Sequence, residues 1–161
     1  MISLVRVDNR LIHGQVVEAW LPHLKVTRVV VADDEAAQSP LIRAAMGLAV
    51  SPTVEVEIKP LQQVDFAAIV SDGTKTLLLL RNIQDVVVAS ERGLRVQKLN
   101  LGNVHFEAGR RQVSPSVFLS RADLDRLKML AGAGAEVEAR AVPSDRPVTL
   151  ADIAERFGKD A

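Results

Sequence analysis

The runs TRVVVA (27–32) and KTLLLL (75–80) constrain the fold of this chain more than any other feature. Nearly unbroken apolar runs of that length suit strands buried on both faces. Such strands occur in parallel sheets with helices packed on each side. Further short β-rich runs stand at ISLVRV (2–7), VEVEI (54–58), KLNLG (98–102), VFL (117–119) and EVEARAV (136–142). VEVEI and EVEARAV alternate, so they are expected to be edge strands with one wet face. Helical segments lie between the strands. In SPLIRAAMGLAV, Ser39 is the expected N-cap and Pro40 the first helical residue. Asn82 is placed to cap IQDVVVASERG, which Gly93 stops. Ser120 with Asp123, and Thr149 with Asp152, have capping-box spacing. Alternation this regular means βαβ units with right-handed crossovers. The expected fold is α/β: an open, twisted, mainly parallel sheet with helices on both faces, in a single domain spanning residues 1–161.

That fold class says where chemistry should sit. Ligands of open α/β sheets lie outside the carboxyl ends of the strands, where strand order reverses. The residues just after the strands are Asp8 to His13, Asp33 to Glu35, Arg81 with Asn82, and Asn103 to Phe106. The first group is the densest. RVDNRLIHGQV (6–16) puts two arginines, an aspartate and a histidine directly before a helix that continues through Val17, Ala19 and Trp20. The first amides of a helix lack intrahelical acceptors and, with the helix dipole, favour an anion. Gly14 and Gln15 stand at that position, and Gly14 carries no Cβ to crowd an incoming group. Arg10 offers a planar fork of donors that matches phosphate oxygens, and Arg6 is a second candidate cation. Asp8 is the right kind of group to bond one ring nitrogen of His13, leaving the other as a nucleophile. A nucleophile, an orienting carboxylate, a cation and a helix start suit covalent phosphoryl transfer.

Composition removes other classes. The 161 residues hold 20 Lys+Arg and 20 Asp+Glu, so no net basic field points to nucleic acid or an anionic membrane surface. Without cysteine there is no disulfide framework and no thiolate chemistry. No run approaches the ~20 apolar residues of a membrane span, so a soluble intracellular protein without direct membrane insertion is expected. Dinucleotide and nucleotide phosphate loops are absent, as is a serine nucleophile elbow. The acidic run Asp33, Asp34 and Glu35 reads as a solvated helix entry, and no metal site is expected.

RVDNRLIHGQV resembles the N-terminal signature of the IIB component of the mannose/fructose/sorbose branch of the bacterial phosphoenolpyruvate-dependent sugar phosphotransferase system. The likeness extends over essentially the whole chain, through TRVVVADDEAAQSP, TLLLLRNIQDVVVASERG and KLNLGNVHFEAGRRQVSPSVFLSRADL. It implies an open, mainly parallel α/β sheet. It also implies that His13 is phosphorylated, at Nδ1, with Arg10 as the active-site arginine and Asp8 as the acidic partner. The implied activity is that of a protein-phosphohistidine–sugar phosphotransferase. A mannose-type IIA phosphocarrier donates to His13, and the group passes to sugar held by IIC and IID membrane subunits. The implied location is the cytoplasm, peripheral to the inner membrane through IIC and IID, and no dissociable cofactor is implied. A phosphoacceptor module that regulates a partner without feeding a sugar would keep the same loop. The chain departs from the family pattern at GNVHF (102–106), where paired glycines and a methionine are usual, and RNIQDV lacks the usual proline. Arg81, Asn82, Asn103, His105 and Phe106 are expected to form the rim of the site, with Phe106 as either an exposed anchor or a core residue.

Overall fold

The structure, a computed structural model, describes residues 1–159. The strands of its main sheet are β1 (Ile2–Asp8), β2 (Arg28–Ala32), β3 (Glu55–Lys59), β4 (Thr76–Leu80), β5 (Lys98–Asn103), β8 (Glu136–Ala139) and β9 (Val148–Thr149). They run in the order β3-β2-β4-β1-β5-β8-β9. All neighbours are parallel except β9, which pairs antiparallel with β8. β6 (Arg111–Ser114) and β7 (Val117–Leu119) form a separate antiparallel hairpin, joined to the main sheet by one bridge between Val104 and Val117. VFL is therefore not a main-sheet strand. EVEARAV is not an edge either, because β9 covers it.

Strand side chains alternate between two cores, as a pleated strand requires. On one face Leu4, Val29, Val31, Leu77 and Leu79 pack with Val16, Trp20, Leu21 and Met46. These contacts bury the segment after β1 and α3 (Pro40–Ala49). On the other face Val5, Val7, Leu78, Leu80, Leu99 and Leu101 pack with Phe66, Val86, Ala89, Leu124, Leu127 and Phe157. These belong to α4 (Phe66–Ser71), α5 (Ile83–Glu91), α6 (Arg121–Gly132) and α7 (Leu150–Lys159). Burying a large aliphatic side chain is worth roughly 1.5–3 kcal/mol, so β2 and β4, buried along their whole length, are the anchor of the sheet.

The expected caps are present. The side chains of Ser39, Asn82 and Ser120 accept from the amides of Ile42, Asp85 and Asp123, and Ser120 with Asp123 closes a full capping box. The Asp152 amide donates to Thr149. Asp33 caps α2 (Asp34–Gln38), so the acidic run after β2 is a helix entry. Among the described residues no helix is long and apolar enough to cross a membrane.

The chain leaves β1 to one face of the sheet and leaves β4 to the other, and β1 and β4 are neighbours. That divergence opens the sheet at their carboxyl ends. Asn9 ties the opening together: its amide donates to the Asn103 carbonyl at 3.2 Å, and its carbonyl accepts from Arg81 Nη1 at 3.2 Å.

Candidate functional site: a histidine at the end of the first strand

Asp8, the last residue of β1, is fully buried although it carries a charge. A buried carboxylate persists only if its oxygens are satisfied, and the sequence around it supplies the donors. Oδ1 accepts from the Arg10 amide at 3.0 Å and from Arg10 Nε at 3.1 Å. Oδ2 accepts from Arg6 Nη2 at 3.1 Å and Arg10 Nη2 at 3.2 Å, and lies 2.9 Å from His13 Nε2. Burial alone would raise the Asp8 pKa. The hydrogen bonds from His13 and Arg10 and the charge of Arg6 outweigh it and hold the carboxyl down at about 2.

The loop that folds back over Asp8 is held by its own apolar residues. Leu11 has φ +58°, a left-handed conformation that a branched side chain rarely adopts. Its side chain is nevertheless buried, beside that of Ile12, in the core under the first helix. Leu11 N–H donates to the Asp8 carbonyl at 2.9 Å, closing the turn. The His13 carbonyl then accepts from Val17 at 3.0 Å, so the helix starts at His13, with the amides of Gly14 and Gln15 in its first turn. The helix is π-helical over Val16–Trp20 before α1 (Leu21–Leu24) completes it. Such π turns often occur beside functional residues.

With Nε2 engaged by Asp8, a neutral His13 carries its proton there and leaves a lone pair on Nδ1. The ring is 17% exposed, enough for an incoming group to reach it. Arg10 is 41% exposed and lies across the same carboxylate, with Nη2 also donating to Gln15 Oε1 at 3.1 Å. The Gln15 side chain thus holds Arg10. A Cβ at Gly14 would meet nothing within 4 Å, so the space there is open.

Arg6 departs from expectation. It is not a phosphate ligand at the surface. Its guanidinium is fully buried behind Asp8, and donates to Asn100 Oδ1 at 2.6 Å and to the carbonyls of Arg140 and Ala141 at 3.2 and 3.0 Å. It lies 5.0 Å from the Trp20 ring centroid, with the Arg140 guanidinium at 5.3 Å from the same ring. Even residues of β1 face Trp20, which places Leu4, Arg6 and Asp8 in one line. Trp20 is buried and donates from Nε1 to the Ala141 carbonyl at 2.9 Å.

The expected rim residues stand at the ends of β4 and β5 or just after them, and meet partners other than the His13 ring. Arg81 makes a paired bond to Asp33, at 3.0 and 2.7 Å, and Asn82 caps α5. Asn103 donates to the Asn9 side chain. His105 pairs with Glu107 at 3.1 Å and, with Asn9, Arg81 and Asn82, lines a hollow of about 190 Å³. Phe106 is 62% exposed and meets Phe118 edge to face at 5.7 Å, so it is not a core residue. Asn9, within the candidate stretch Asp8 to His13, supports the site, as do Asn100, Gly102 and Arg140, which were not among the candidates. For Asn100 and Gly102 the clue was a polar or small residue inside the strand run KLNLG. Among the described residues no cluster of His, Asp and Glu is set to hold a metal ion.

The buried carboxylate makes a testable acid response. Asp8 titrates at about 2 in the fold against an ordinary 3.8. Folding therefore favours its charged form. That contribution is complete above about pH 5 and is lost as pH falls through the folded value. Unfolding free energies of wild type and Asp8→Asn should differ by a constant amount near pH 5. The gap should narrow by about 2 kcal/mol toward pH 2. A gap that keeps its size through this range would show that the Asp8 charge contributes nothing.

Fold and site together describe a doubly wound α/β domain with one loop histidine oriented by a buried carboxylate at its carboxyl-end opening. Residues 2–160 match the family described as the PTS system sorbose subfamily IIB component. The chain belongs to that family of phosphotransferase-system proteins. It is 30% identical over 166 residues to the mannose-specific EIIAB component of Escherichia coli (strain K12), covering 99% of this chain and 50% of that protein. The chain thus spans about half the length of the EIIAB relatives it matches. It is 32% identical over 150 residues to the N-acetylgalactosamine-specific phosphotransferase enzyme IIB component 2 of the same strain, covering 92% and 96%. The IIB domain of the sorbose permease from Klebsiella pneumoniae superposes with a TM-score of 0.85 at 27% identity, covering 96% and 97% of the two chains.

Proposed function

We propose that this chain is a phosphoryl carrier in sugar uptake, loaded on Nδ1 of His13. The phosphohistidine of a mannose-type IIA protein is the donor, and sugar held by IIC and IID membrane subunits is the final acceptor. The observation that carries this reading is the 2.9 Å contact between His13 Nε2 and the buried Asp8 carboxylate. It fixes the proton on one nitrogen and leaves the other as nucleophile. In the loading step the donor's N–P bond breaks and an Nδ1–P bond forms in line. The positive charge that develops on the His13 ring is shared with Asp8. Arg10 meets the charge spread over the phosphoryl oxygens. Gly14 leaves open space beside the ring, and the amides of the first helical turn face the developing anion. The cytoplasm is the matching location, with contact to the membrane only through IIC and IID. Donor and acceptor must each bring a reactive atom to the same nitrogen, so both dock on this end of the sheet, where Phe106, Arg81, Asn82, Asn103 and His105 stand.

The test is incubation with phosphoenolpyruvate, the two general phosphotransferase proteins and a mannose-type IIA, followed by intact mass. A gain of one phosphoryl group is expected. No gain with active donors would overturn the proposal, and a gain that never reaches sugar in the presence of IIC and IID would leave a regulatory acceptor.

Arg10 should matter more for rate than for folding. A charge-assisted contact is worth roughly 1.5–3 kcal/mol, or about one to two decades in rate. Arg10→Ala should slow loading by that factor, and Arg10→Lys should recover only part, because it keeps the charge and loses the fork. Loading of Arg10→Ala at the wild-type rate would remove Arg10 from the reaction.

A further inference from the structure

Asn100 is a fully buried polar residue between Leu99 and Leu101 at the centre of the sheet. It stands level with Arg6 on β1 and with Glu138 on β8, its register partners on either side. Its Oδ1 accepts from Arg6 Nη1 at 2.6 Å. Its Nδ2 donates to Glu138 Oε1 at 3.1 Å and to the Arg140 carbonyl at 3.2 Å. These partners leave the amide one orientation: turned over, it would set its NH₂ against a guanidinium and its oxygen against a carboxylate. From Arg6 the bonds continue to Asp8 and from Asp8 to His13. An unbroken line, Glu138–Asn100–Arg6–Asp8–His13, therefore crosses three strands and ends on the imidazole.

Each link restricts the next. Of the donors to the Asp8 side chain, Arg6 alone comes from within the sheet; the others belong to the loop that carries His13. Arg6 thus fixes the carboxylate relative to the fold. Asn100 fixes Arg6, together with two carbonyls and the Trp20 ring. A neutral amide suits that task. An aspartate there would compete with Asp8 for the guanidinium and stand against Glu138. A residue with no acceptor would remove one of the four acceptors that hold Arg6 and let the Glu138 carboxylate, now paired with Arg140, compete for its Nη1.

We propose that Asn100 is a positioning residue for His13: through Arg6 it sets the Asp8 carboxylate and thereby decides which imidazole nitrogen holds the proton. The proposal deepens the carrier reading and rests on it for the transfer rate. The tautomer of the unloaded protein does not depend on that reading.

The experiment is ¹⁵N-edited NMR of the His13 ring in wild type, Asn100→Ser and Asn100→Asp, with loading rates from the phosphorylated IIA measured on folded protein. Wild type should show His13 with Nε2 protonated as the dominant neutral form. Both variants should show the two tautomers in comparable amounts, and loading about tenfold slower. Adding Glu138→Gln to Asn100→Asp removes the clash between the carboxylates. It should restore the melting temperature without restoring the tautomer, because the introduced carboxylate still competes for Arg6. If Asn100→Ser does not fold, Glu138→Gln alone serves instead, and a smaller shift of the same sign is expected. A melting temperature that falls while the His13 tautomer and the loading rate stay at wild type would make Asn100 merely structural and overturn the proposal. The same holds for an unshifted tautomer in Glu138→Gln. Failure of wild type to be phosphorylated would overturn the carrier reading, and the tautomer measurement would still decide the role of Asn100.

Discussion

Replacing His13 with alanine should abolish the mass gain from phosphorylated IIA and leave the thermal transition in place. The two halves of this result have separate causes. The ring is partly exposed, and its hydrogen-bonded partner is Asp8. Without it Asp8 still accepts from Arg6 and Arg10, so no buried charge is stranded. The other histidines do not substitute. His23 packs edge-on against Trp20 at 6.0 Å, and His105 pairs with Glu107 at the surface. Neither contacts the Asp8 carboxylate, and the Glu107 that His105 meets is more than half exposed, so it fixes that ring far less than the buried Asp8 fixes His13. Phosphate on His13 should be lost in acid and survive alkali, as a phosphoramidate does. Equal labelling of His13→Ala, or a label that resists acid, would move the site elsewhere.

Gly102→Ala is expected to destabilise the protein by about 3–5 kcal/mol, the range for breaking a buried ion pair. A methyl group at this position would fall inside the Arg6 guanidinium, overlapping its central carbon and both terminal nitrogens. A long side chain at the surface would swing aside at little cost. Arg6 cannot, because it is fully buried, with Asp8, Asn100 and two backbone carbonyls as acceptors. Making room therefore means breaking its pairing with Asp8. Gly14→Ala is the matched control. A Cβ there meets nothing, and alanine favours a helix start more than glycine does. Denaturant unfolding of both variants checks the contrast. Equal stability of Gly102→Ala and wild type would mean that Arg6 relaxes freely.

Much of this was legible from the chain. TRVVVA and KTLLLL announced strands buried on both faces, and they are the two that run beside each other at the heart of the sheet. The caps at Ser39, Asn82 and Ser120 were readable because capping is local chemistry. Asp8 and His13 were placed by the general rule for loops after parallel strands. The failures share a cause, which is that burial of a polar group is decided by partners distant in sequence. Arg6 looked like a surface cation because nothing local shows that Asn100 and the Arg140 carbonyl will meet it. EVEARAV alternates because Glu138 joins a polar line, while β9, too short to read, closes the edge. The hairpin β6–β7 was only half legible: VFL (117–119) is β7, while its four-residue partner β6 carries too little pattern to reveal the pairing. The α4 helix, six residues long, was missed because it too carries little pattern.

The charges gathered behind His13 have one more consequence. The guanidiniums of Arg6, Arg10 and Arg140 stand among the carboxylates of Asp8 and Glu138, leaving one positive charge in excess. A phosphoryl group brings roughly −1.5 to −2. On the carrier reading, the local field around the histidine reverses polarity each time the group arrives or leaves. At physiological ionic strength such fields fade within about 8 Å, so partners sense the reversal only once docked. A donor still carrying its group and an acceptor waiting to be filled therefore meet surfaces of opposite sign. The order of their visits is thereby written into electrostatics, and the loop that Leu11 pins down need not move to enforce it.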